Sequence, residues 1–353
     1  MAPHTWDERH GWSGILGTLT AGGDLDREAA AAAMGEILEG NATPSQIAGF
    51  IVALRMKGET ADELTGLVSA MLERAVPVVL AEPEGVIDLV GTGGDRSHSI
   101  NVSTLAAFTV AGAGGRVCKH GNRAASSACG TADLLEALGV AFDLGPAGVA
   151  RCVEEAGMGF CFAPRYHGAM RHAGPTRKEL GVPTVFNFLG PLANPARVRR
   201  QVTGVADGAM AARMVGVLQA NGAERAMVVY GLDGLDELTT TAASVVHELR
   251  DGEVRTFEVD PLDLGIARAS LDDLRGGDAA TNASLARAVL AGEDGPHADI
   301  VALNAAAGLV VGGLADDLPA GLSLARAALA DGRAAAALDR LVTTSQAAAG
   351  EAG

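Results

Sequence analysis

The sequence is poor in aromatic residues and in positive charge. Only 3% of its 353 residues are Phe, Trp or Tyr, which argues against a surface that stacks on nucleobases. Lys and Arg number 27 against 43 Asp and Glu, so the formal net charge is -16. This charge argues against a general binder of nucleic acid or of an anionic membrane. A polyanionic small molecule would therefore need a local basic pocket or a metal ion.

Cysteine is scarce, and long apolar runs are missing. The cysteines form no C-x-x-C pair and have no histidine at zinc-finger spacing, so we expect reduced thiols, either packed or near a site: Cys118, Cys129, Cys152 and Cys161. No apolar run reaches the roughly 18 residues of a membrane span. Residues 1–12 are polar and carry both charge signs, unlike a signal peptide. We therefore expect a cytoplasmic protein that does not contact a membrane.

The remaining composition predicts a folded chain with a helical beginning. Hydrophobic residues make up 48% of a chain long enough for two domains. Residues 1 to about 75 should be helical, because helix start signals precede apolar residues at helical spacing. The expected helices run from Asp26 to Gly40, from Thr43-Pro44 to Gly58, and from the Thr60–Glu63 capping box to Pro77. Their one-sided apolar stripes require packing on the rest of the chain or on another subunit.

From Val86 onward the pattern becomes one of buried strands alternating with helices. This alternation is typical of an α/β domain with a mainly parallel sheet. The expected strands are Val86–Val90, Arg116–Cys118, Gly159–Ala163, Gln201–Val205 and Ala226–Tyr230. Two further runs, 244–249 and 253–258, flank Asp251-Gly252 and predict an antiparallel hairpin at the sheet edge. Ala-rich helices should end the chain.

Three polar segments follow predicted strands. The first runs from Asp88 through Gly91-Thr92-Gly93-Gly94-Asp95 to a helix start at Ser103. Glycines beyond a strand let backbone N–H groups reach a phosphate, and the helix start adds further unpaired N–H groups. The same glycines are equally compatible with a tight structural turn. The segment is neither a Walker A loop nor a G-x-G-x-x-G motif.

The second and third segments offer cations and carboxylates. Lys119 to Ser127 holds two cations, an amide and two hydroxyls, and so predicts an anion cradle, with a solvated basic loop as the alternative. Asp236 and Glu237 are adjacent after another predicted strand. Carboxylates of this kind can hold Mg²⁺ together with substrate phosphate oxygens, although an acidic pair on a loop is often only solvated.

Together these motifs closely resemble the anthranilate phosphoribosyltransferase family of tryptophan biosynthesis. The likeness covers nearly the whole chain, from the second helix to about residue 340, and rests on several further motifs. These are Asn101-Val102-Ser103-Thr104, Lys119-His120-Gly121-Asn122-Arg123, Phe162-Ala163-Pro164 with His167, Arg177-Lys178-Glu179-Leu180-Gly181, Phe186–Leu192 and Gly234-Leu235-Asp236-Glu237. Arg96, Ser99-Ile100, Thr131 and Gly168 depart from the usual family pattern.

The resemblance implies an activity and a fold. The enzyme would transfer the phosphoribosyl group of 5-phosphoribosyl 1-diphosphate (PRPP) to the amino nitrogen of anthranilate. The products would be N-(5-phosphoribosyl)anthranilate and diphosphate, in the second step of tryptophan biosynthesis from chorismate. A small helical domain, residues 1–80 with part of 170–195, would accompany a large α/β domain, residues 81–353, that binds the donor and ends in helices. Members form homodimers through the helical part and bind Mg²⁺.

The resemblance also implies the site residues. The donor would be held by Gly91, Gly94, Asp95, Ser99, Asn101, Val102, Ser103, Thr104, Lys119, His120, Gly121, Asn122, Arg123, Ala124, Ala125, Ser126, Ser127 and Thr131. Anthranilate would meet Gly91, His120, Asn122, His167 and Arg177, with Arg177 on its carboxylate. Mg²⁺ would lie near Ser103, Asp236 and Glu237. No residue is expected to act as a nucleophile or base, because the aromatic amine is already neutral at pH 7.

Two alternatives remain at this stage. A pyrimidine nucleoside phosphorylase shares the fold and also works at a ribose anomeric carbon, but lacks the Lys-His-Gly-Asn-Arg loop and the acidic pair. A non-catalytic nucleic-acid-binding relative would keep the fold without the acceptor site. The charge of -16 and the presence of both Asn122 and Arg177 argue against it, so no nucleic-acid partner is expected.

Overall fold

The computed structural model describes residues 11–95, 97–124 and 128–351 of the chain. Its first described part holds four helices: α1 (Trp12–Thr20), α2 (Arg27–Glu39), α3 (Pro44–Lys57) and α4 (Ala61–Arg74). The three helices predicted from the sequence are confirmed as α2, α3 and α4. Helix α1 was missed, because its first turn follows Gly11 and has no side-chain cap to announce it.

The predicted caps explain where these helices begin. Asp26 accepts a hydrogen bond from the Ala29 N–H at 2.8 Å. Thr43 and Thr60 both form complete capping boxes, the second with Glu63. The buried Glu63 also accepts from the Leu25 N–H at 2.9 Å and pairs with Lys57 at 3.0 Å. One carboxylate thus ties together the segments that lead into α2 and α4.

The second part of the fold is a seven-stranded sheet in the order β3-β2-β1-β4-β5-β6-β7. Its strands are β1 (Val86–Gly91), β2 (Arg116–Gly121), β3 (Met158–Phe162), β4 (Arg200–Gly204), β5 (Arg225–Gly231), β6 (Ser244–Arg250) and β7 (Glu253–Val259). Strands β1 to β5 pair in parallel, while β6 and β7 are antiparallel. The mainly parallel sheet and its edge hairpin are as predicted.

Strand β2 is longer than the sequence indicated. Lys119 and His120 continue the ladder by pairing with Phe160 and Cys161 of β3. The expectation that this strand ends at Cys118 was therefore wrong. Polar residues at the end of a parallel strand look like loop residues in the sequence, and only the neighbouring strand shows that they are in the sheet.

Helices cover both faces of the sheet. They are α5 (Val102–Gly112), α6 (Thr131–Ala137), α7 (Pro146–Ala156), α8 (Ala163–Tyr166), α9 (Gly174–Leu180), α10 (Phe186–Leu192), α11 (Gly208–Ala220), α12 (Ala279–Leu290), α13 (Pro296–Gly312), α14 (Leu318–Ala330) and α15 (Arg333–Glu351). Short 3-10 helices occupy Gly168–His172, Pro261–Leu264 and Asp272–Leu274. No helix in the described ranges is both long and apolar enough to span a bilayer.

Two apolar cores hold these layers together. One surrounds α5 and α13 and one face of the sheet. The other joins α1–α4 to α10, α11 and the opposite face of β5, where Ala226 and Val228 are fully buried. The N-terminal helices therefore bury their apolar stripes against the rest of the chain, as their one-sided pattern required.

Candidate functional site

A cavity of about 360 Å³ lies beyond the carboxyl ends of β1 and β2. All the predicted donor-site and metal-site residues that the structure describes line it. Ala125, Ser126 and Ser127, like the unusual Arg96, lie outside the described residues. The cavity is also lined by residues to which the sequence analysis gave no role, among them Ser97, His98 and Asn187. Ser97 and His98 could have been found by their proximity to the glycine motif, whereas Asn187 stood only in a motif of the family resemblance.

The glycines at the end of β1 let the loop that carries Asp236 approach the β1 main chain closely. Gly93 and Gly94 adopt φ values of 68° and 85°, in the left-handed region that favours glycine. The Gly93 N–H donates to Asp236 Oδ2 at 2.6 Å. A Cβ atom on Gly91 would overlap that same carboxylate oxygen, and one on Gly204 would overlap the Asp236 main-chain oxygen. The glycines here make room for Asp236 as well as for a ligand.

The acidic pair lies inside the protein. Asp236 is only 8% exposed, so the alternative of a merely solvated acidic pair does not hold for this carboxyl group. Burial, followed by the charges of Glu237 and Asp95, raises the pKa of Asp236 well above its usual range. Burial likewise raises the pKa of Glu237, against the opposing effect of Lys119. Three carboxyl groups thus face one another at one end of the cavity.

Lys119 lies among these acids. It is 1% exposed, and its Nζ donates to the Leu89 carbonyl and, at 3.2 Å, to Ser103 Oγ. Burial lowers the pKa of Lys119, while the nearby Asp88, Glu237 and Asp236 raise it. The ammonium group therefore lies in the interior, close to the carboxyl groups of Asp88, Glu237 and Asp236.

Several other predicted donor residues hold the walls of the cavity in place. Arg123 pairs with Asp133 at 2.7 Å and with Glu136 at 2.9 Å, and its guanidinium lies over Phe142. Asn101 donates to the Cys129 carbonyl at 3.1 Å and accepts from Asn282 at 2.9 Å. Both cations of the predicted anion cradle, Lys119 and Arg123, thus have partners within the protein, and the cradle's Ser126 and Ser127 lie outside the described residues.

Two histidines pack together beside the cavity. The rings of His120 and His167 have centroids 5.1 Å apart. His120 Nδ1 lies 3.2 Å from the Gly190 carbonyl, and His167 Nε2 lies 2.8 Å from the Ala193 carbonyl. Burial lowers the pKa of His120 to about 3, so this imidazole is neutral near pH 7. His120 lines the cavity, and His167 stands behind it.

Arg177 is partly buried on α9 and lies outside the cavity lining. Its guanidinium carbon lies 5.1 Å from the centroid of the Phe186 ring. Asn187, the residue that follows Phe186 in the sequence, lines the cavity. Burial lowers the pKa of Arg177. Within the described ranges the guanidinium has no ion pair with an acid, not even with the nearby Glu179. This cation therefore remains available for a ligand anion.

Two buried polar residues, Asp88 and Asn194, were given no role by the sequence analysis. Asp88 is fully buried in β1 and accepts from the His120 N–H at 3.2 Å and from Asn194 Nδ2 at 2.8 Å. Burial raises the pKa of Asp88 to about 6, although Lys119 opposes this. Asp88 lay within a predicted strand and Asn194 within a Pro-rich turn. Only the tertiary fold brings them together.

Parts of the chain match known protein families, and nearly the whole chain is similar to known relatives. Residues 13–75 match the model described as "Glycosyl transferase family, helical bundle domain", and residues 83–335 match "Glycosyl transferase family, a/b domain". The anthranilate phosphoribosyltransferase of Salinispora arenicola is 53% identical over 95% of this chain and 97% of its own length. That of Rhodococcus jostii is 55% identical over 93% and 92%.

Solved structures that superpose on this fold are anthranilate phosphoribosyltransferases as well. The anthranilate phosphoribosyltransferase of Thermus thermophilus superposes with a TM-score of 0.88 at 42% identity, covering 94% of this chain and 99% of that one. The Saccharomyces cerevisiae enzyme, solved in complex with PRPP and Mg, gives a TM-score of 0.86 at 26% identity, covering 96% of this chain and all of that one (100%).

The fold and the sequence matches define a glycosyltransferase with a helical bundle and an α/β domain. Within that class the chain belongs to the anthranilate phosphoribosyltransferase family. The predictions of family, fold class and reaction are thereby confirmed, and the phosphorylase and non-catalytic alternatives are set aside.

Proposed function

We propose that the cavity binds PRPP together with Mg²⁺, and that His120, His167 and Arg177 position anthranilate beside it. The observation that carries this proposal is the convergence of three carboxyl groups in the cavity. Asp95, Asp236 and Glu237 line it together, and burial followed by the charges of Glu237 and Asp95 raises the pKa of Asp236. Mg²⁺ bound with the donor would favour the ionised form of these carboxyl groups and would reduce their repulsion of the diphosphate.

The residues present fit Mg²⁺. In the described part of the chain no three His, Cys, Asp or Glu side chains are arranged to hold a metal by themselves. Mg²⁺ usually takes one or two carboxylates and completes its shell with water and substrate phosphates, so Asp236 and Glu237 suit it, with the Ser103 hydroxyl nearby. When bound, Mg²⁺ would stabilise the charge that develops on the departing diphosphate.

The side chains of the site would contribute by binding and by electrostatic stabilisation. Substitution at the anomeric carbon passes through an oxocarbenium-like state, so catalysis depends on stabilising diphosphate and placing the nucleophile. Lys119 contributes positive charge close to the carboxyl end of β1. Arg177, which no acid of the described chain neutralises, is suited to the anthranilate carboxylate through a planar charge-assisted pair.

Donor binding with and without the metal tests this proposal. In calorimetry, PRPP should bind the wild-type chain much more tightly with Mg²⁺ than without it. The Asp236→Asn, Glu237→Gln double variant keeps side-chain size and should lose the Mg²⁺ effect. Asp233→Asn, an acidic residue of the same loop that bonds to Thr239 and Thr241, is the matched control. Equal Mg²⁺ dependence in wild type and double variant would contradict the metal assignment.

We further propose the domain division 1–80, with part of 170–195, and 81–353, together with a homodimer formed through the helical part. Val52 and Met56, one turn apart on α3, are 37% and 83% exposed, which supports an interface there.

A cytoplasmic location is supported by four cysteines that form no disulfide. The net charge of -16 supports the absence of a nucleic-acid partner.

A further inference from the structure

The residues Gly190–Asn194, which we call the clasp, are tied to three strands and to both site histidines. They form the last turn of α10 and the two residues after it. The Gly190 and Ala193 carbonyls lie against His120 and His167, as described above. The Pro191 carbonyl accepts from Gln201 Nε2 of β4 at 2.6 Å. Three main-chain oxygens of one short segment therefore hold three buried side chains.

Asn194 completes the clasp through its amide nitrogen. Nδ2 donates to Asp88 Oδ2 of β1 at 2.8 Å and to the Cys118 carbonyl of β2 at 2.8 Å. Both amide hydrogens are used, and Asn194 is only 4% exposed. Because Asp88 also accepts from the His120 N–H, the amide links the clasp to the strand end that carries His120.

The clasp determines which ring nitrogen of each histidine carries the proton. A carbonyl can only accept, so Nδ1 of neutral His120 must be protonated and its Nε2 must be an acceptor. By the same argument Nε2 of His167 is protonated and its Nδ1 is the acceptor. Within the described residues, His120 Nε2 is buried and has no hydrogen-bond partner. A buried acceptor without a partner is costly unless a ligand supplies the donor.

We propose that Asn194 is a positioning residue for the acceptor half of the site. By bridging Asp88 and the Cys118 carbonyl it fixes the clasp, and the clasp holds His120 in the tautomer that presents Nε2 as an acceptor to the aromatic amine. This inference rests on the proposed placement of anthranilate beside His120. Turnover by the wild-type chain tests the proposed function and His120→Gln tests the placement, whereas variants at Asn194 test the positioning role.

The test compares acceptor and donor constants in Asn194→Ser. We expect kcat/KM for anthranilate to fall about tenfold or more while KM for PRPP changes by less than about twofold, as when a group that orients a histidine is lost. In ¹⁵N spectra of the imidazoles, the ring nitrogens of His120, assigned with His120→Gln, should lose the signature of a single tautomer. Arg197→Ala is the control, since Arg197 bonds to the Leu72 carbonyl at 3.1 Å without touching either histidine.

A second experiment exchanges the two side chains at positions 88 and 194, so that loss of the contact can be distinguished from loss of the fold. Asn194→Asp alone places two carboxylates together and should lose acceptor activity. Adding Asp88→Asn restores the contact between an amide and a carboxylate, although a carboxylate at position 194 cannot donate to the Cys118 carbonyl, and should therefore recover only part of kcat/KM for anthranilate. The proposal is overturned if Asn194→Ser lowers the melting temperature while both constants and the His120 signals stay at wild-type values. It is equally overturned if the donor constant changes as much as the acceptor constant, or if a folded double variant is no better than Asn194→Asp.

Discussion

At the scale of single residues, the site depends on charges that water cannot screen. Lys119, Asp236 and Asp88 are all less than a tenth exposed, and their charges act on one another across the carboxyl ends of β1 and β2. Arg177 is the exception, because no acid of the described chain neutralises it. A half-buried cation without a partner is the expected state of an anion-binding residue before its ligand arrives.

Arg177→Ala should weaken acceptor recognition and leave donor recognition intact. Loss of a buried charge-assisted pair should cost about 2 to 5 kcal/mol in kcat/KM for anthranilate, while KM for PRPP should change little. Lys178→Ala, which removes an exposed cation from the same helix, is the control and should behave as wild type. A raised donor constant with normal acceptor binding would refute the placement of the two substrates.

His120 should make stability depend on pH. Its pKa is lowered to about 3 in the folded state, whereas in the unfolded chain it takes up a proton below its ordinary value of 6.5. The unfolded state therefore binds more protons between these values, and stability is lost as pH falls through this window. Between about pH 7 and 5, wild type should lose about 2 kcal/mol more free energy of unfolding than His120→Gln. Urea titrations at both pH values measure this, and parallel losses would disprove it.

The sequence predicted these residues unevenly. Gly91, Asp95 and Asp236 stand in motifs whose residue types already indicate phosphate and metal chemistry, and all three line one cavity. The roles of Asp88 and Asn194 could not be found, because each looks ordinary in the sequence and they contact each other across 106 residues of chain. The burial of Asp236 was also hidden, since a carboxylate in a Gly-rich loop looks the same whether or not another loop covers it.

At the scale of elements, strand ends determine how closely the loops of the site approach one another. The ends of β1 and β4 are glycines because the Asp236 loop crosses directly above them. The sequence predicted each strand to within a few residues from buried apolar runs and turn signals. The predicted end of β2 was too early, because Lys119 and His120 pair with β3 and the local sequence pattern contains no information on this long-range contact.

Gly204→Ala should disturb this crossing. Its new Cβ would overlap the Asp236 main-chain oxygen, so the variant should lose about 1 to 3 kcal/mol of unfolding free energy and bind PRPP with Mg²⁺ more weakly. Gly216→Ala, within α11 and with no atom inside 4 Å of the new Cβ, is the control. It should be neutral or stabilising by up to about 1 kcal/mol. An unchanged denaturation midpoint for Gly204→Ala would contradict the steric argument.

At the scale of the whole molecule, the helical part packs on the α/β part and still exposes apolar surface. The core that joins α1–α4 to α10 and α11 brings α9 and the clasp next to the cavity. Of the proposed acceptor residues, Arg177 lies on α9 and His167 follows α8, whereas Gly91 and His120 lie at the ends of β1 and β2 beside the proposed donor residues. The sequence pattern marks where the sheet begins, but only the family resemblance indicated that part of 170–195 joins the helical part.

The exposed face of α3 should form the contact between subunits. Val52→Lys with Met56→Lys should convert a homodimer to a monomer in sedimentation velocity, because buried lysines at an apolar interface are costly. Val79→Lys, at an equally exposed apolar residue (79%) outside α3, is the control. A wild-type chain that is monomeric at micromolar concentration would exclude this interface.

The central claim is that an acidic cavity uses Mg²⁺ to hold PRPP while a neutral aromatic amine attacks. The most direct test is to follow diphosphate release by ³¹P spectroscopy and the organic product by mass, with anthranilate, PRPP and Mg²⁺ each omitted in turn. We predict N-(5-phosphoribosyl)anthranilate and diphosphate in equal amounts, only when all three are present. Turnover that continues without Mg²⁺, or phosphorolysis of a pyrimidine nucleoside in its place, would contradict the account.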